Sequence, residues 1–396
     1  MPFTSDTTQK LDSKLYISSI APNTVQSEIR AMTAECDRVG GINLAQGVCD
    51  TEMPTSVSTG AIQAIHDGFN IYTRMDGIAS LRQAIANKLE RHNGLHCDPE
   101  SQVLVTSGAT GGFLAACMAL LNPGDEVILL EPFYGYHRNT LQCLRVQPVV
   151  IPFAASDALL DMERVAAAIT PRTRALVLNT PCNPSGKVFS RQEMETLASL
   201  AEQHDLFVIT DEIYEYFVYG DARHISFASL PGMAERTITL SGFSKTFSVT
   251  GWRLGYLAAS ARWIPAISYF HDLVYVCAPA PLQHGVAAGL LQLPDTYYSD
   301  LATEYQGKRD LLCDALSAAG LKNTRPDGAY YILADVSSIE GRGAKEKSRH
   351  LLAQCGVAGV AGSAFFHQGG DNLMRFCFAK KKEQLLDACT RLKNFR

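Results

Sequence analysis

The stretch SGFSKTFSVTGWRLGY, Ser241 to Tyr256, sets a single lysine among small and hydroxyl residues and an arginine eight positions later, with Gly251 and Trp252 between them. The runs on either side, RTITLSG and RLGYLAAS, are short, apolar and bounded by glycine or charged residues, which predicts two strands joined by this loop. Lys245 then stands at a strand end with no carboxylate beside it in sequence. Burial there is costly, because desolvation disfavours the charged form of an amine. The penalty is useful where the amine must be neutral enough to attack a carbonyl, the profile of a Schiff-base lysine.

Outward from this loop the same alternation continues. SQVLVTSG, DEVILLEP, QPVVIPF, RALVLNTP and LFVITDEIY read as five further strands, with helical patterns such as FLAACMALL and RQEMETLASLAEQHDL between them. Strands alternating with helices predict an α/β fold, with a mostly parallel seven-stranded sheet between helices and chemistry at the carboxyl ends of the strands.

Three polar clusters fall at such ends: SGATGG from Ser107, NTPCNPSG from Asn179 and DEIY from Asp211. The glycine loop leads into a helix, so its free backbone N–H groups and the helix dipole suit an anion such as phosphate. It is neither the dinucleotide Gly-x-Gly-x-x-Gly nor a Walker loop. Asp211 closes an apolar strand, where an unpaired carboxylate is expensive. Two readings follow for it: a partner cation such as a protonated ring nitrogen, or a helix cap.

Before residue 100, IASLRQAIANKLERH predicts an amphipathic helix after the segment YTRMDG. Beyond about residue 280, long helical patterns and the strand-like GAYYILADV and LMRFCFA predict a smaller α/β domain completed by the C-terminus. The division expected is an N-terminal segment 1–44 packing with the small domain, a large domain 45–280 and a small domain 281–396.

Composition excludes several classes. With 396 residues, 46% hydrophobic and 19% charged, the chain is long enough for more than one core. A net charge of −5 without a basic patch argues against nucleic acid and anionic membranes, and the run Lys380 to Lys382 opens a solvated helix face. The eleven cysteines form no Cys-x-x-Cys pair and no histidine cluster has metal-ligand spacing, so reduced thiols, no metal and a cytoplasmic setting are expected. The N-terminal MPFTSDTTQKLDSK is polar, and no apolar run reaches membrane-spanning length.

Taken together, INLAQGVCD, YTRMDGIASLRQAIA, VTSGAT, EPFYGY, NTPCNPSGKVF, DEIYE, SGFSKTFSVTGWRLGY, DGAYYILAD, GSAFF and LMRFCFA resemble, in order and spacing, the pyridoxal-phosphate-dependent aminotransferases of fold type I, class I and II. The resemblance covers nearly the whole chain. It implies that Lys245 forms the Schiff base with the cofactor and shuttles the proton between the substrate Cα and cofactor C4′, with Asp211 pairing the pyridinium nitrogen. Tyr214 and Asn183 would bond the ring 3-oxygen, and Tyr134 would stack on the ring. Arg253 would hold the phosphate with the backbone of Gly108, Ala109 and Thr110. Tyr72 would reach the phosphate of the neighbouring subunit in a homodimer. Arg375 would take the substrate α-carboxylate bidentately, near Gly47 and Asn183.

The departures from the family pattern are specific. Gly242 stands where the phosphate-binding serine is usual, leaving Ser241 and Ser244 as the two candidates. Cys49 replaces a common proline, and Phe366 replaces a glycine, which predicts a narrower pocket. Thr110 stands where some acid-preferring relatives carry lysine, which speaks against strict aspartate specificity; Met53, Phe365 and Phe366 suggest an apolar or aromatic side chain instead.

The resemblance implies an amino-acid:2-oxoacid aminotransferase working through pyridoxamine phosphate. A second reading is another reaction on the same scaffold, a β-elimination, a cyclisation or synthesis, or an oxidative deamination, since the bond placed perpendicular to the ring decides the outcome. A third is a non-catalytic sensor module. Against it, only about 44 residues precede the first strong motif, too few for a DNA-binding domain with its linker.

Overall fold

The computed structural model describes residues 17–18, 20, 27–152 and 160–395. The polar N-terminal stretch and Phe153 lie outside them. After a short strand β1 (Ile42–Asn43), the seven strands expected between residues 100 and 260 are all present: β2 (Val103–Thr106), β3 (Glu126–Glu131), β4 (Gln147–Pro152), β5 (Thr173–Asn179), β6 (Phe207–Asp211), β7 (Thr237–Gly242) and β8 (Gly255–Ala258). They form one sheet in the order β2-β8-β7-β6-β5-β3-β4. The strand β8 runs antiparallel to β2 and β7, and every other pairing is parallel.

The strands read as continuous apolar runs because both faces of the sheet are covered. One face sets Leu104, Leu129, Val177, Ile209 and Leu240 against Phe113 and Ile267, which belong to the helices Gly108–Leu120 and Ile264–Tyr275. The other sets Ile128, Leu130, Leu176 and Val208 against Met194 and Leu197 of the helix Arg191–Gln203. That helix begins at a capping box, in which Ser190 and Glu193 satisfy each other's backbone N–H groups.

In the C-terminal part, β9 (Tyr331–Asp335), β10 (Val357–Ala358), β11 (Val360–Ala361) and β12 (Leu373–Cys377) follow. The strands β11, β12 and β9 make a three-stranded antiparallel sheet, and β10 pairs in parallel with β1. The two ends of the described chain therefore meet: Ile42 and Leu44 share a core with Leu316, Phe376 and Leu385, while Met32 and Cys36 pack on Ala358 and Val360.

One element departs from its expected form. The pattern IASLRQAIANKLERH predicts an uninterrupted α-helix, but the helix Ala79–Lys88 passes into a π-helical turn, Leu89–Asn93. The widened turn lets Lys88 Nζ reach Asn93 Oδ1 at 2.9 Å, and both side chains meet the buried Glu215. Among the described residues, no helix is long and apolar enough to cross a membrane.

The antiparallel β8 is what positions the site. Gly255 pairs with Thr106 on one side and Gly242 on the other, so the chain that leaves the sheet after β7 returns at the same rim. A Cβ on Gly255 would lie 2.6 Å from Ala109 N and 2.7 Å from Gly108 C, both backbone atoms. Gly255→Ala is therefore expected to lower the free energy of unfolding in urea by roughly 1–3 kcal/mol, as overpacking does. Unchanged stability would mean that the Gly108 turn gives way freely.

Candidate active site

The rim where β2, β5, β6 and β7 end and β8 begins surrounds a cavity of about 260 Å³. Its polar side chains arrive from several elements. Asp211 is the last residue of β6, and Asn183 follows β5 in the NPSG turn. Lys245 and Arg253 lie on the loop between β7 and β8, and Arg375 comes across from β12. Ala109, Thr110, Tyr134, Tyr214, Ser244 and Gly47 complete the positions expected from sequence that line it.

Lys245 Nζ donates to the carbonyl of Gly47 at 3.0 Å and lies 5.6 Å from the centre of the Tyr330 ring. Burial lowers its pKa from the usual lysine range, the thiols of Cys49 and Cys377 oppose that shift, and the charges of Arg253 and Arg375 add to it. Cys49 is itself buried beneath the lysine, its Sγ 3.8 Å from the Lys245 carbonyl, and burial raises its pKa.

Arg375 is 1% exposed. Its Nη1 donates to Asn183 Oδ1 at 2.8 Å and its Nη2 to the Ala45 carbonyl at 2.6 Å, while Nε has no partner among the described residues. The guanidinium is sandwiched by aromatic rings, with Tyr331 at 4.2 Å and Phe365 at 4.6 Å from its carbon. A buried guanidinium without a carboxylate partner is a site for an incoming anion.

The family model for aminotransferase class I and II matches residues 39–392. The chain belongs to this family. Over 369 residues, 92% of the chain, it is 34% identical to aromatic-amino-acid aminotransferase 2 of Thermococcus litoralis, covering 94% of that protein. The solved N-succinyldiaminopimelate aminotransferase of Mycobacterium tuberculosis superposes with a TM-score of 0.92 at 35% identity, covering 96% of this chain and all of that one. A methionine aminotransferase of Escherichia coli superposes equally well at 32% identity. Activity and cofactor follow at family level: this is a pyridoxal-phosphate-dependent aminotransferase.

The residues of the cavity fit that cofactor. At the start of the helix Gly108–Leu120, Gly108 has a left-handed φ of 73°, and a Cβ there would come within 2.7 Å of Arg253 Nη2. The guanidinium thus rests directly on the first turn of a helix, and together they offer charge and N–H donors to a phosphate. Arg253 itself takes a φ of 54°, which turns its side chain from β8 toward that turn. On the far side, Asp211 Oδ2 lies 3.1 Å from His137 Nε2, both buried, and Tyr134 packs edge-on against the His137 ring at 5.3 Å.

Three positions come out differently from the sequence reading. Ser241 does not line the cavity: its hydroxyl donates to Glu215 Oε1 at 2.7 Å on the opposite side of β7, because alternate residues of a strand face opposite ways. Ser244 lines it instead. Met53 packs into the core around Val57, and Phe366 packs against the cluster around Phe365, so neither narrows the cavity. Tyr72, expected at the phosphate of a neighbouring subunit and not of its own, is 79% exposed and does not line the cavity of its own chain.

Two aromatic residues with close polar contacts have no place in the sequence reading. His137 holds Asp211, and only its spacing of three residues from Tyr134 in EPFYGYH hints at it. Tyr331 is 2% exposed; its hydroxyl lies 2.8 Å from that of Tyr214 while its ring faces Arg375. Gly47 is glycine for its sake, since a Cβ there would fall 2.0 Å from Tyr331 Oη.

A lysine whose charged form is disfavoured by folding destabilises the protein at neutral pH. Its folded pKa lies below the unfolded value of 10.5, so the unfolded chain binds the extra proton and stability rises with pH across that interval. In cofactor-free protein, Lys245→Met is expected to raise the Tm by a few degrees at pH 7, with the gap closing as pH approaches 10.5. An equal or lower Tm at pH 7 would show that the amine is not desolvated.

Proposed function

We propose that the cavity carries out amino transfer between an L-amino acid and a 2-oxoacid, with Lys245 as the catalytic amine. The observation that carries this reading is the convergence of a desolvated lysine, a carboxylate held by histidine, a guanidinium on a helix N-terminus and a second, unpaired guanidinium on one cavity. Bound there, pyridoxal phosphate supplies an aldehyde carbon and an electron-withdrawing ring.

The chain's own residues do the rest. Lys245 Nζ, with its lowered pKa, would take the proton from the substrate Cα and deliver it to the cofactor C4′. Asp211, fixed by His137, keeps a proton on the ring nitrogen. Tyr214 and Asn183 bond the ring oxygen, and Tyr134 covers the ring face. Arg253, Ser244 and the backbone from Gly108 to Thr110 hold the phosphate. Arg375 binds the substrate α-carboxylate beside Gly47, its planar fork fixed by Asn183 and Ala45 and its free Nε still available. The division into segment 1–44, large domain 45–280 and small domain 281–396 goes with this arrangement, as does a cytoplasmic setting.

The reading is tested by the visible spectrum of the loaded enzyme after single L-amino acids are added without oxoacid, with ammonia assayed in parallel. One equivalent of oxoacid per site and no ammonia is the expected result for the parent enzyme. Lys245→Ala is expected to lose transfer by at least about 10³-fold, within the reach of a proton-transfer group, and Arg375→Gln to raise the amino-acid KM far more than the cofactor Kd. Ammonia over many turnovers would replace transfer with elimination or oxidation.

We further propose a homodimer. Its support is a set of exposed apolar side chains: Ile62, Ile65, Ile71 and Tyr72, and, on the helix Ile264–Tyr275, Tyr269 and Leu273. Gln283 ties the two segments, donating to Thr73 Oγ1 and to the Ala278 carbonyl. Water-facing patches of this kind mark association surfaces. Tyr72, on this surface, would then reach the partner's phosphate. Sedimentation should give a two-chain species that Ile71→Glu with Leu273→Glu converts to monomer; a monomeric parent protein excludes it.

A further inference from the structure

Tyr331 lines the cavity and is 2% exposed, yet amino transfer as assigned to the other residues makes no use of it. It is held at two points. Its ring lies 4.2 Å from the carbon of the Arg375 guanidinium, and its hydroxyl lies 2.8 Å from that of Tyr214, where the two rings meet edge to face at 5.7 Å and 82°. The sheet imposes the first contact. In the antiparallel pair β9 and β12, Tyr331 stands opposite Cys377 and Arg375 opposite Leu333, so tyrosine and arginine are diagonal neighbours on one face. At the second, the Gly47 backbone closes in on the hydroxyl, so near that a Cβ there would fall 2.0 Å from Oη.

Which oxygen donates follows from counting protons, since a phenol has one. Burial raises the pKa of both tyrosines; for Tyr331 the Arg375 charge opposes and Cys377 adds to that shift, and for Tyr214 the phenols of Tyr331 and Tyr134 add while Arg375 opposes. Both are protonated at neutral pH. If Tyr214 gives its proton to the ring oxygen of the cofactor, its own oxygen is left to accept, and Tyr331 is the donor in the 2.8 Å bond. Tyr330 does not compete for that role, because its hydroxyl donates to the Gly47 carbonyl at 3.1 Å. A hydroxyl that accepts a hydrogen bond becomes a stronger donor in turn. The guanidinium on the Tyr331 ring strengthens the first link of this chain, as it favours release of the phenol proton.

We infer that Tyr331 is a positioning residue for the reaction: it donates to Tyr214, directs the Tyr214 proton at the ring oxygen, and links that oxygen to the charge of Arg375. The inference rests on the assignment of Tyr214 to the ring oxygen. A ring oxygen held by a strong donor is a poorer base, so the proton it shares with the nitrogen joined to Lys245 is bound less tightly. Tyr331 thereby helps keep that nitrogen open to exchange at neutral pH.

Titration of the visible absorption band of the loaded enzyme, without substrate, reads the affinity for that proton. Tyr214→Phe is expected to raise it at least about tenfold, the loss of a hydrogen bond to a charged group. Tyr331→Phe, which keeps the ring on Arg375, is expected to raise it about two- to fivefold, the share owed to cooperative strengthening. The double variant should go no further than Tyr214→Phe alone, because Tyr331 acts only through Tyr214. Replacing Tyr331 by 3-fluorotyrosine, a more acidic phenol of nearly the same shape, is expected to lower the affinity, a sign that packing damage would not produce; it also serves where Tyr331→Phe fails to fold. A shift in Tyr214→Phe with none in the fluorotyrosine protein, or additive shifts in the double variant, overturns the inference. No shift in Tyr214→Phe overturns the ring-oxygen assignment itself, and the role of Tyr331 with it.

Discussion

Lys245 loses its water when the loop between β7 and β8 folds against Gly47 and Tyr330, and among the described residues no carboxylate takes the place of that water. A carbonyl oxygen and an aromatic face stabilise an ammonium ion only in part. The protein therefore holds its central amine in a poorly solvated position, and the neighbouring guanidinium groups increase the strain. Much of the surrounding structure can be understood as what such a site needs: a rigid sheet rim to hold the loop, a protonated thiol at its back, and cations placed to receive anions that arrive with cofactor and substrate.

The remaining buried charges follow the opposite rule and are fully partnered. Glu215, one residue beyond Tyr214, faces away from the cavity and is surrounded by donors from Lys88, Asn93 and Ser241, while Tyr256 bonds the same lysine. Burial opposes its ionisation, yet Lys88 holds its pKa down to about 2. Glu212 is likewise met by Thr210, His224 and the Phe227 N–H. Removing one partner of such a network leaves a charge buried without compensation. The contrast separates the two sides of the sheet rim: charges that serve the fold are satisfied within the chain, and Arg375 and Lys245, which face the cavity, are not.

Much of this was legible in the chain. Strand positions followed from short apolar runs closed by Gly, Pro or Asp, because a sheet covered on both faces needs them. The glycine loop at Gly108 was recognisable as an anion site ahead of a helix, and the carboxylate at Asp211 and the lysine at Lys245 as charges costly to bury at strand ends. Ser241 and Ser244 could not be separated, since the choice depends on which way the chain turns as it leaves β7. His137 and Tyr331 escaped because their importance lies in contacts at 3.1 Å and 2.8 Å with residues 74 and 117 positions away. The π-helical turn at Leu89–Asn93 escaped for a similar reason, its distortion being favoured by a partner, Glu215, far along the chain.

By itself the sequence determined the fold class, the family and the identity of most cavity residues, because periodicity, turn chemistry and the cost of isolated charges are local properties of a chain. Tertiary structure alone decided which hydroxyl faces the cavity, which buried charges meet a partner of opposite sign, and that Met53 and Phe366 stand aside. Those outcomes depend on distances between elements remote in sequence, and a side chain's chemistry is set by what surrounds it once the chain has folded.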